Sequence, residues 1–151
     1  MRSGPAVAIG AMVGSLLTFG GCGGSNSPTA VPAVTTPPAP VSTVLAQGSR
    51  SNLGVNMLLG LDFTTNANGM LDVTVDWTFV TNNVQIYLAY GPCSVEQFNA
   101  VDCSLAGLSV SPTAKPERLH LTNLPAGTYS LIIDNRGLTV ESVSFQIVFT
   151  R

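Results

Sequence analysis

The chain is poor in charge. Its 151 residues hold six Lys plus Arg and eight Asp plus Glu, and neither sign gathers into a run. A basic stripe for nucleic acid and a polybasic patch for a membrane surface are thereby excluded. Histidine is scarcer still: His120 stands alone, which rules out a multi-histidine metal centre. There is no Gly-x-Ser-x-Gly elbow, no phosphate-cradling glycine loop ahead of a helix, and no paired carboxylates, since the acids are single and scattered. A serine–His120–acid arrangement would have to be assembled from distant segments. His120 alternates with Leu119 and Leu121 and is expected to face solvent from a strand. No catalytic residue and no metal ligand is assigned, and the chain is expected not to be an enzyme. Long helical periodicity is missing as well.

What is present begins with three parts of an export signal over residues 1–21: the positive Arg2, a mostly apolar run from Ala6 to Phe19, then Gly20 and Gly21 before Cys22. The run is glycine-diluted and shorter than the roughly 20 apolar residues that a membrane-spanning helix needs. Phe19-Gly20-Gly21-Cys22 resembles the lipobox of bacterial lipoproteins, with Phe19 where that family favours Leu. The resemblance implies cleavage before Cys22, diacylglycerol on its thiol and acylation of the new amino group, giving the two or more chains that stable anchoring requires. A glycine rather than an aspartate follows Cys22. By the sorting rule of such lipoproteins this implies the outer membrane of a Gram-negative envelope, or otherwise the outer face of the plasma membrane.

Residues 22–43 read as a disordered tether. Pro28, Pro32, Pro37, Pro38 and Pro40 are interleaved with Ala, Val and Thr, and favour extended backbone. At roughly 3.1 Å per residue such a stretch reaches up to about 60 Å.

Residues 44–151 carry the folded domain, and there the dominant period is two. Val55, Met57, Leu59, Leu61 and Phe63 alternate with polar or small neighbours, as do Leu71, Val73, Val75, Trp77 and Phe79. Val84 to Tyr90, Tyr129 to Ile133 and Val143 to Phe149 repeat the pattern, and Val44–Gln47, Leu105–Val110 and Arg118–Thr122 are shorter candidates. Turn residues separate them, among them Asn82-Asn83 and Asn135-Arg136-Gly137. The expected fold is all-β: an antiparallel sandwich of seven or eight strands. Trp77 is in phase with Val73 and Val75 and belongs to the core. Tyr87 falls beside Gln85 on the polar face of its strand, where the pair could contact a ligand, the ring stacking on a sugar.

With Cys22 lipidated, Cys93 and Cys103 are the cysteines that remain, and an exported chain permits their disulfide. Closing that loop stabilises by about 3 kcal/mol on the chain-entropy model. Within it, Ser94-Val95-Glu96-Gln97 has the form of a capping box and opens about one helical turn.

The run from Gly69 to Trp77, then Val84 to Leu88, the cysteine pair, Leu124-Pro-Ala-Gly-Thr-Tyr129 leading into Leu131 to Asn135, and the final strand to Phe149 are together similar to the bacterial pre-peptidase C-terminal domain. The likeness covers residues 53–151. It implies a small jelly-roll-like sandwich of the kind appended to secreted hydrolases and found alone in lipoproteins. Some members bind calcium, but Asn83 and Gln85 stand where the family's strand often carries aspartates. Asp72 and Asp76 share a face, yet four residues along a strand are about 13 Å apart and cannot by themselves chelate one ion. No cofactor is assigned beyond that weak implication of calcium. Two functional classes remain: a tethered, non-catalytic binding or accessory module for a glycan, peptide or envelope protein, and a structural envelope lipoprotein acting through protein contacts.

Overall fold

A computed structural model describes residues 37–151. The export signal, Cys22 and the tether up to residue 36 lie outside the described residues. Residues Pro38–Arg151 form a compact unit of their own. It contains β1 (Ser42–Leu53), β2 (Leu58–Thr65), β3 (Gly69–Trp77), β4 (Val84–Tyr90), α1 (Val95–Asn99), β5 (Leu105–Leu108), β6 (Glu117–Leu124), β7 (Gly127–Asn135) and β8 (Glu141–Thr150). The strands make two four-stranded sheets in the orders β1-β8-β3-β6 and β2-β7-β4-β5, every pairing antiparallel. Eight strands in two sheets with this interleaved order make a jelly roll.

The period-two runs explain the packing. Leu71, Val73, Val75 and Trp77 of β3 are buried, and across the sandwich they share a core with Ile86, Leu88, Leu131 and Ile133. Each such side chain contributes about 1.5–3 kcal/mol of burial. Trp77 is in that core, its indole Nε1 donating to the Phe79 carbonyl at 2.9 Å. Tyr129 fills the space near Phe63, and its hydroxyl donates to the Pro125 carbonyl at 2.7 Å, pinning the corner between β6 and β7.

Two elements differ from the sequence expectation. β1 runs for twelve residues instead of four and begins at Ser42, inside the expected tether. It is an edge strand held by its ladder to β8, so Gly48, Ser49 and Ser51 sit in it without the burial that makes a strand visible in the sequence. β2 starts at Leu58, because Asn52 and Asn56 take positive φ (58° and 56°) and the chain turns through Val55 rather than extending there. The capping box is formed: the Ser94 hydroxyl accepts from Gln97 N (3.2 Å) and Gln97 Oε1 accepts from Ser94 N (2.9 Å). The Cys93–Cys103 disulfide is present, with 6.0 Å between the Cα atoms.

Candidate functional site

The sandwich has two outer faces, one covered over its central strands and the other bare. On the β2-β7-β4-β5 sheet, β4 is buried on both sides. Val84, Ile86 and Leu88 face the core, while Ala89 and Ile132 on the outer side pack under the cysteine loop with Cys93 and Phe98. Tyr87 is therefore not the exposed contact that its alternation suggested: it is 8% exposed, its ring 4.9 Å from that of Phe98, with the Arg136 guanidinium 5.5 Å above it. Burial pushes its phenol above the usual tyrosine range. Gln85, 6% exposed, is likewise spent, its amide donating to the carbonyl and hydroxyl of Ser109. Both residues do lie on the outer side of β4. The segment after the strand folds back over that side, which no pattern within the strand itself announces.

The β1-β8-β3-β6 sheet has a bare outer face, and its register arranges that face in rows. Ser42 on β1, Thr150 on β8 and Met70 on β3 form one row, with the two hydroxyls 2.7 Å apart. The next is Val44, Val148, Asp72 and His120. The third is polar on all four strands: Gln47, Gln146, Thr74 and Arg118, with Gln146 Nε2 donating to Gln47 Oε1 at 3.4 Å. Ser49, Ser144 and Asp76 make the fourth. Adjacent strands are about 4.8 Å apart, so the third row is roughly 14 Å long. Register shifts in β1 at Val44/Ala46 and Arg50/Leu53, and in the β3–β6 pair at Gly69/Leu71, bend the strands. The outer face holds a shallow hollow of about 700 Å³ lined by Gln47, Ser49, Thr74, Asp76, Arg118 and Gln146.

Most charges on this face are already paired. His120 Nδ1 is 2.7 Å from Asp72 Oδ1, both side chains half-exposed. Lys115 Nζ lies 2.8 Å from Asp76 Oδ1, and its hydrogen bond holds the Asp76 carboxyl below the usual range against a smaller opposing effect of desolvation. Arg118 has no carboxylate within ion-pair distance among the described residues. The hollow thus presents amides, hydroxyls, one guanidinium and the Lys115-paired Asp76 carboxylate, donors and acceptors in fixed register. His120 faces solvent and has its acid, but no serine or threonine hydroxyl hydrogen-bonds to it among the described residues.

No three acid, histidine or cysteine side chains converge among the described residues. Of the two positions at which the sequence resemblance would place aspartates, Gln85 bonds Ser109 and Asn83 offers a single buried Oδ1 with no partner among the described residues. One orphan oxygen is not the cage of six to eight that calcium takes.

No family model matches the chain, and no curated protein matches it. Among solved structures it is similar to the crystal structure of the Yersinia pseudotuberculosis-derived mitogen, with a TM-score of 0.46 and 11% sequence identity over 73% of this chain and 85% of that one. At that distance the likeness says nothing of function.

Sequence reasoning missed the polar row, because Gln47, Thr74, Arg118 and Gln146 come from four separate strands and meet only through register. It also missed a buried polar knot at one end of the sandwich. Asn82 Nδ2 donates to Asn135 Oδ1 (3.1 Å) and Glu141 Oε1 (2.7 Å), and its Oδ1 accepts from Leu138 N (2.9 Å). Glu141 Oε2 accepts from Thr78 N and Phe79 N, and Asn135 Nδ2 donates to the carbonyls of Leu53, Gly54 and Thr139. A Cβ on Gly137 would land on the Asn82 amide. Asn82, Asn135 and Gly137 are legible in the sequence only as turn formers, and Glu141 carries no signal of its own.

Proposed function

We propose that the chain is a lipid-anchored, non-catalytic binding module of the cell envelope, and that the hollow on the four-stranded sheet takes a polyhydroxylated ligand, a glycan. The observation that carries this reading is the row Gln47–Gln146–Thr74–Arg118, which crosses all four strands with hydrogen-bonding side chains on a bare face. Surface residues scattered singly need no ligand, whereas a row built across a curved sheet has the form of an extended hydrogen-bonding site. The lipobox-like Phe19-Gly20-Gly21-Cys22 segment and the Pro-rich stretch behind it support the anchor. The dearth of catalytic groupings supports a role in holding rather than converting its ligand.

The test is retention of the protein on immobilised envelope polysaccharides, compared with Gln146→Ala and Thr74→Val. Both side chains lie on the outer face, so stability should change by no more than about 0.5 kcal/mol. Affinity should fall about tenfold or more, as each removes hydrogen bonds to the ligand. Unchanged retention in both variants would refute the site. A stoichiometric complex with an envelope protein in place of any polysaccharide would favour the structural-lipoprotein reading.

A further inference from the structure

The hydrogen-bonding row on the open sheet is not uniform in charge. Arg118 closes it at the β6 end, while Thr74, Gln146 and Gln47 are neutral. Arg118 is exposed and has no carboxylate within ion-pair distance among the described residues. The acids nearest to it in the sheet are engaged elsewhere. Glu117, its neighbour on β6, is buried and accepts from Ser111 N at 3.2 Å. On β3, Asp72 is held by His120 at 2.7 Å and Asp76 by Lys115 at 2.8 Å. A guanidinium is a planar fork of donors that meets a carboxylate with two parallel hydrogen bonds. Arg118 presents that fork to solvent at one end of the row.

The middle of the row has the opposite character. Asp72 and Asp76 lie on β3 to either side of Thr74, and both are half-exposed. They accept from hydroxyls, but they repel a second carboxylate placed over β3. Farther along, β8 and β1 bring Gln146, Ser144, Gln47 and Ser49, which carry no charge. A sugar ring advances its chain by about the spacing of neighbouring strands, about 4.8 Å, so an extended glycan laid along the row sets one ring over each strand.

We infer that the hollow selects a sparsely charged acidic glycan. One uronic acid seats its carboxylate on Arg118, and the neutral sugars that follow lie over β3, β8 and β1. The inference rests on the proposed glycan site and specifies its ligand. A wholly neutral glycan leaves the Arg118 fork unused. A chain with a carboxylate on every ring brings one against Asp72 and Asp76.

The test is calorimetric titration of the full chain with three tetrasaccharides. The first is released from deacylated gellan by its lyase and has one uronic acid, at its non-reducing end. The second is the same molecule with that carboxyl reduced to an alcohol, and the third is tetragalacturonate. The first should bind about tenfold or more tighter than the second, the difference that a charge-assisted hydrogen bond makes, and tighter than the third. In Arg118→Gln the advantage of the first over the second should vanish, with a melting temperature within about 3 °C of wild type because the side chain is exposed. Gln146→Ala should weaken both and keep the advantage. Equal affinity of wild type for the first two overturns the inference, and if Gln146→Ala still weakens both, the glycan site itself stands. An advantage that persists in Arg118→Gln also overturns it, as does tetragalacturonate binding as tightly as the first. Binding of none of the three overturns it too, and the site is then judged on the envelope polysaccharides alone.

Discussion

The two outer faces of the sandwich are each built on four antiparallel strands, yet one is sealed and the other open. On the sealed face an aromatic pair, a disulfide and one helical turn lie over the central strands, so residues that alternate outward become a second small core. On the open face nothing covers the strands, and the same alternation yields rows of amides, hydroxyls and paired charges. Period two tells which side of a sheet a residue is on. Whether that side is wet depends on where the next loop goes. Substitutions on the sealed face should therefore cost stability, and those on the open face should cost binding.

The largest effect tests the sealed face at its centre. Tyr87→Ala should lose about 3–4 kcal/mol of unfolding free energy, since it empties the space between Phe98 and Arg136. A urea titration measures this. A loss below about 1 kcal/mol would return Tyr87 to the surface role that its alternation suggested. Next is the staple itself: Cys93→Ala with Cys103→Ala should cost about 3 kcal/mol, read in the same titration. Hydrogen exchange should then rise in residues 91–104 while the β3 and β8 amides stay protected.

The smallest effect belongs to the open face. Lys115→Gln should raise the Asp76 pKa towards the ordinary value, followed by carboxylate chemical shifts. Because the folded-state pKa of Asp76 is depressed, its contribution to stability is present above the unfolded value of 3.8 and is lost as pH falls through the lower folded value. Wild type and variant should thus differ near neutral pH and converge in strong acid. The side chains are exposed, so the difference should stay below about 0.5 kcal/mol. A loss several times larger would mean that the pair belongs to a buried structure, and would erase the contrast between the faces.

The fold was largely legible. Alternation in β3 and β8, the turn residues between strands and the lone cysteine pair lead to an all-β sandwich with a disulfide. β1 was shortened to Val44–Gln47 because an edge strand is held by backbone pairing, which leaves no apolar signature. The candidate site was hardly legible. Thr74 and Arg118 are neighbours only because β3 and β6 pair in one register, and a slip by one residue would turn Arg118 into the core. Asn82, Asn135 and Glu141 form one knot from positions up to 59 residues apart. The two asparagines read as ordinary turn residues and Glu141 carries no signal, since nothing local distinguishes a polar side chain that will be buried from one that will not.

The pairing of β1 with β8 also bears on when the domain can form. Among the described residues β1 pairs with β8 alone, so neither the four-stranded sheet nor the hollow on it exists until residue 150 is available. Folding that depends on contacts so far apart in the chain is slow, because loop closure precedes the stabilising contacts. A chain that leaves the cytoplasm amino end first would cross the membrane without a finished sheet to obstruct its passage. The topology delays closure of this sheet until its C-terminal strand is in place.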